Sequence, residues 1–91
     1  MKILTKWSVI VAHYGAEHQK RKAVEEMAEL TTALAREQDN RASAKDVITE
    51  IADVYIMLRQ LMEIYGNERC RQEIARKLKR LERRMERENE S

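Results

Sequence analysis

An all-α fold is predicted for this chain by three features of its sequence. Proline and phenylalanine are absent and glycine occurs only at Gly15 and Gly66, which leaves strands and tight β-turns little to build on. Charged residues make up 37% of the chain with nearly balanced signs, for a net charge of +2. That is the composition of a solvated helical surface and argues against a polyanion-binding protein. Apolar residues also recur at helical spacing along most of the chain. With 91 residues there is room for one domain, residues 1–91, with no repeat or linker to divide it. A domain of this size buries only about 60 to 65% of the surface its unfolded chain exposes, so a partner subunit is expected.

Four helices follow from the spacing. The first is predicted over about Ile3 to His13, with Ile3, Trp7, Ile10 and Tyr14 on one face, short enough to pack as a lid, and with Gly15 at the C-terminal cap. The second covers about Glu17 to Glu37 and presents Ala23, Met27, Leu30 and Leu34 as its buried stripe. The polar stretch Gln38 to Ala42 breaks this pattern. Ser43 and Asp46 resemble a capping box that starts the third helix, in which Val47, Ile51, Val54, Leu58, Leu61 and Tyr65 form an unbroken stripe. Gly66 and Asn67 supply a cap and a new N-cap for a fourth helix carrying Ile74, Leu78, Leu81 and Met85, with a tail expected to fray from about Glu86. The architecture is thus a helical hairpin core with short flanking helices.

Two acid pairs stand out against this frame: Glu26 and Glu29 in the second helix, Glu50 and Asp53 in the third. On a helical wheel, Glu26 and Glu29 lie roughly 70° and 130° to one side of their apolar stripe, and Glu50 and Asp53 have the same offsets from theirs. If the stripes meet as an antiparallel hairpin, both pairs fall on one side of the seam. They also agree in height. Glu29 against Glu50 and Glu26 against Asp53 share one centre at Asp39 and Asn40, inside the loop already inferred from polarity. Four converging carboxylates repel one another, by roughly 4 kcal/mol per pair about 4 Å apart at an effective dielectric of 20, so a cation is implied. Oxygen donors without histidine or thiolate favour Mg²⁺ or Mn²⁺ over zinc, and neither pair offers the Glu-x-x-His of a di-iron site. The plain alternative is that these acids coat the wet face of two helices, as most charged runs do.

Glu25-Glu26-x-x-Glu29 followed by Glu50-x-x-Asp53 resembles the EExxE…ExxD signature of the MazG-like nucleotide pyrophosphohydrolases of the all-alpha NTP pyrophosphatase superfamily. The run His13-Tyr14-Gly15 to Gln19, the stretch Ala23 to Leu34 and Glu50 to Leu58 are similar to its short, single-domain members, so that the resemblance spans about residues 5 to 81. It implies Mg²⁺-dependent hydrolysis of a nucleoside triphosphate, often a deoxynucleotide, to the monophosphate and pyrophosphate. Glu26, Glu29, Glu50 and Asp53 then bind the metal and Glu25 is the remaining motif acid. The resemblance further implies a homodimer or homotetramer in which paired hairpins make four-helix bundles. Against the longer members, the resemblance implies a short form without the C-terminal part that some of them use near the substrate.

Around the acids, Lys22 stands one turn before Glu26 on the same ridge and is the first candidate for a phosphate contact. Gln19 continues that ridge toward a base or sugar, with Gln60 opposite it on the third helix. Trp7 and Tyr14 have the chemistry to stack on a base, although an aromatic on an apolar helix face is more often core. His13 and His18 lie near the helix junction. Met27, Met57 and Met62 read as packing, and Cys70 as a quiet half-buried residue.

Cys70 is the only cysteine, which rules out an internal disulfide and fits a reducing cytoplasm. The apolar run Trp7 to Ala12 is far short of the roughly 20 residues that a membrane span needs. Arg83, Arg84 and Arg87 in the fourth helix are interleaved with Glu82 and Glu86, which favours ion pairs along an exposed helix over nucleic-acid binding. The main rival to an enzyme is a non-catalytic helical oligomeric interaction protein with the same fold. It has no reason to maintain four converging acids.

Overall fold

The computed structural model describes residues 4–90 and contains four helices, with no strand among the described residues: α1 (Lys6–Tyr14), α2 (Ala16–Gln38), α3 (Ala44–Tyr65) and α4 (Asn67–Glu90). Ile3, the expected start of the first helix, lies outside the described residues. Thr5 is the N-cap of α1, in a reciprocal capping box: its hydroxyl accepts the Ser8 N–H at 3.1 Å and Ser8 Oγ accepts the Thr5 N–H at 3.0 Å. Gly15, at φ +93°, carries the chain from α1 straight into α2 in a conformation that side chains avoid, and its N–H reaches the Val11 carbonyl at 2.7 Å.

α2 ends in a Schellman motif. Asn40 takes a left-handed conformation (φ 61°), its N–H donates to the Glu37 carbonyl at 3.0 Å and the Arg41 N–H to the Arg36 carbonyl at 2.8 Å. The expected box at Ser43 starts α3, with Asp46 Oδ2 accepting the Ser43 N–H at 2.9 Å and Ser43 Oγ accepting the Asp46 N–H. Gly66 closes α3. Asn67 does not act as the expected N-cap: it is the first residue of α4, and its side chain donates to Glu63 at 2.9 Å. The tail expected to fray is helical through Glu90.

α2 and α3 make the main interface, an antiparallel hairpin against which α1 lies, while α4 touches only α3 among the described residues. The seam keeps only part of the stripe expected for α2, with Ala23 buried and Leu30 half-buried. It runs along Gln19, Ala23, Glu26 and Ala33, leaving Met27 and Leu34 exposed at 39% and 42%. On α3 it takes Val47, Val54, Met57 and Gln60, and leaves Ile51, Leu58 and Tyr65 exposed. The cause is steric. Ala23 and Ala33 let the backbones approach along a line turned toward the acids, and because each apolar arc is wider than one contact line, its far half remains at the hairpin's edge. The α4 stripe of Ile74, Leu78, Leu81 and Met85 is likewise exposed. The protein is accordingly flat, 51 × 37 × 18 Å, and no described helix is long and apolar enough to cross a membrane.

Candidate metal centre

The register of the hairpin places the acids. Gln19 and Gln60 meet inside the seam, where the Gln19 Nε2 donates to Gln60 Oε1 at 2.7 Å, and the Gln60 amide donates in turn to the Ile56 carbonyl at 3.2 Å. This pair shares the two-fold centre of the Glu29/Glu50 pairing, so each helix is fixed in height against the other. Gln60 therefore stands opposite Gln19, as the sequence indicates. Gln19 itself is buried and its amide committed: rather than reaching toward a base or sugar, it lines the seam, because the hairpin is rotated onto its ridge.

One turn apart on α2, Glu26 and Glu29 face Glu50 of α3, and each of the three offers a carboxylate oxygen within 4.8 Å of the others. Glu26 is only 9% exposed. Among the described residues, Glu26 Oε2 and Glu50 Oε2 are buried without a hydrogen-bond partner, an arrangement that is costly unless something else satisfies them. Glu29, at the wet rim, has its carboxyl pushed above the ordinary carboxylate range, chiefly by the charge of Glu26 and then by desolvation. Three converging carboxylate oxygens suit a hard divalent cation that keeps water in its remaining positions. Asp53, expected as the fourth ligand, is half-buried on the same helix but falls outside this group. Its side chain is one methylene shorter than glutamate and ends closer to its own helix.

Lys22 is the cation nearest the trio on α2. Its Nζ lies 3.3 Å from Glu26 Oε1 and 3.7 Å from Glu25 Oε2, and the hydrogen bond to Glu26 raises its pKa above the usual lysine value. Glu25 is exposed and outside the trio, on the outer side of the helix as the helical wheel requires. No family model matches this chain, and neither does any curated protein or solved structure.

A groove of about 520 Å³ opens beside the trio at the loop end of the hairpin, with Glu29, Thr32 and Arg36 on one wall, Asp46, Thr49 and Glu50 on the other, and Arg41 at its end. This volume is in the usual range for small-molecule sites. Nothing in the apolar or acidic spacing of the sequence points to Arg36 or Arg41. Arg36 was nevertheless legible, standing seven residues after Glu29 and hence almost in line with it on the helix. Arg41 was not, because its place depends on the Schellman turn. The aromatics are elsewhere: Trp7 is half-buried with the Arg59 guanidinium 5.2 Å from its ring centre, and exposed Tyr14 stacks on His18 at 5.6 Å. His18 is tied to Gln19 Oε1 through its Nδ1 at 2.7 Å.

Proposed function

We propose that this chain is a Mg²⁺-dependent nucleoside triphosphate pyrophosphohydrolase of the MazG-like kind, with Mn²⁺ as a substitute ion, acting in the cytoplasm. The observation that carries the reading is the carboxylate trio: two of its members keep a buried oxygen without a partner, and a fold gains nothing by burying carboxylates unless a cation satisfies them. Glu26, Glu29 and Glu50 would hold the ion, with Asp53, the fourth acid of the motif, completing the set through water. When bound, the ion would neutralise phosphate oxygens and orient a water toward the α-phosphorus. The chain's own part is to fix the acids by the Gln19–Gln60 register, to supply Lys22 as a cation beside the site, and to hold the substrate in the groove. A carboxylate not fully committed to the ion can accept the proton of the attacking water.

The test is a panel of nucleoside and deoxynucleoside triphosphates with Mg²⁺ or Mn²⁺, assayed separately for pyrophosphate and phosphate. Pyrophosphate release from at least one substrate, abolished by EDTA, is the expected result. Absence of turnover across the whole panel with both ions would overturn the enzyme reading. A second reading, a helical interaction protein, is favoured by one specific observation, the exposed apolar faces of α3 and α4. Those faces equally suit a homo-oligomer, and we assign them to a second copy of this chain, in a dimer or a tetramer of paired hairpins.

A further inference from the structure

The groove couples the metal centre to two guanidinium groups. Glu29 and Glu50 belong to both the acid trio and the groove walls, and two helical turns, about 10 Å, separate Glu29 from Arg36 on the same ridge. Among the described residues no hydrogen bond or ion pair engages the Arg36 guanidinium, although Arg36 lines the same groove as three acids, Glu29, Asp46 and Glu50. Asp46 is already taken by the Ser43 N–H and hydroxyl. Arg41 is held next to Arg36 through the backbone, by the 2.8 Å bond from its N–H to the Arg36 carbonyl, and among the described residues its side chain is paired only with exposed Asp39 at 3.1 Å. One end of the groove therefore concentrates carboxylates fit for a divalent ion, while the other presents two forked cations. This polarity matches a ligand that is both metal-bound and polyanionic. Guanidinium groups bind phosphate oxygens through paired, charge-assisted hydrogen bonds that a lysine cannot reproduce.

We propose that Arg36 and Arg41 form a polyphosphate clamp: the phosphate chain of the substrate lies along the groove, with its metal-bound end at Glu26, Glu29 and Glu50 and its free end on the two arginines. The assignment rests on the metal-dependent reading above and adds the direction in which the substrate lies. It makes the loop end of the hairpin the place where the leaving pyrophosphate is held, and it predicts that ligands are recognised by their phosphate chain more strongly than by their base.

Calorimetric titration separates the two readings. Mn²⁺ alone is titrated first, then inorganic pyrophosphate in saturating Mn²⁺, into the native chain and into Arg36→Met, Arg41→Met and Arg36→Lys. The clamp predicts that each methionine variant weakens pyrophosphate binding about tenfold or more, the size expected for a lost charge-assisted contact. Arg36→Lys should fall between them and the native chain, and Mn²⁺ affinity should not drop in any variant. Native-like pyrophosphate binding by both methionine variants would overturn the clamp and leave the metal reading standing. A native chain that binds neither Mn²⁺ nor pyrophosphate would overturn both.

Discussion

Glu50→Gln is the substitution that most directly probes whether the acids form a metal centre. Glu50 and Glu26 bring carboxylate oxygens within 4.8 Å, and at that separation two unit charges repel by about 3.5 kcal/mol at an effective dielectric of 20. Relaxation and water at the half-exposed Glu50 reduce what folding can recover, so we expect a gain of about 1 to 2 kcal/mol when the charge is removed. Glutamine keeps the shape, and no ion pair of Glu50 is lost with it, whereas Glu26→Gln would also forfeit the pair with Lys22. For a chain of this size such a gain raises Tm by roughly 5 to 15 °C. Thermal melts at one protein concentration, in EDTA and along a Mg²⁺ series, are the assay. The native chain should gain about 2.7 kcal/mol at Mg²⁺ a hundredfold above its Kd. Glu50→Gln should melt higher than native in EDTA and lose that gain. Glu25→Gln, exposed and outside the trio, should keep most of the Mg²⁺ shift. If Glu50→Gln melts lower in EDTA and keeps the native Mg²⁺ response, the trio is a solvated cluster and the metal reasoning fails.

Three further outcomes follow from the same structure. Gln60→Leu strands the buried Gln19 amide, so urea unfolding should report a loss of about 1 to 3 kcal/mol, with the Gln19→Leu, Gln60→Leu double variant recovering part of it; equal losses in single and double variants would contradict the pairing. Ser43→Ala removes the α3 cap and should lower Tm by about 5 °C, from about 1 kcal/mol of capping energy. Asp46, whose carboxyl the Ser43 N–H and then its hydroxyl hold below the usual aspartate range, stabilises the fold above the unfolded-state pKa and ceases to do so as pH falls through its lower folded value. The Ser43→Ala deficit should therefore shrink in acid. Finally, sedimentation should find at least a dimer at micromolar concentration, and Leu58→Glu, on the exposed face of α3, should shift it toward monomer; a compact native monomer would show that the exposed apolar face needs no partner.

The chain's local chemistry was written in its sequence. Helix starts and stops at Gly15, Ser43 and Gly66 depend on backbone conformations and side-chain caps confined to a few neighbouring residues, so reading them requires no knowledge of the fold. The shared height of Glu29 with Glu50, and of Gln19 with Gln60, was also legible, because in an antiparallel hairpin the position of the turn sets which residues stand opposite. What only the tertiary structure decided is rotation. The apolar arcs on α2 and α3 are wider than a single line of contact, and the small side chains of Ala23 and Ala33 draw the seam away from Met27 and Leu34 toward Glu26. That turn buries Gln19 and brings Glu26, Glu29 and Glu50 together, a group that does not include Asp53. It also leaves Ile51 and Leu58 exposed at the hairpin's edge. Arg41 reaches the groove only through the left-handed turn at Asn40, a conformation that polarity marks as a loop but whose direction depends on the carbonyls that the end of α2 leaves to be capped.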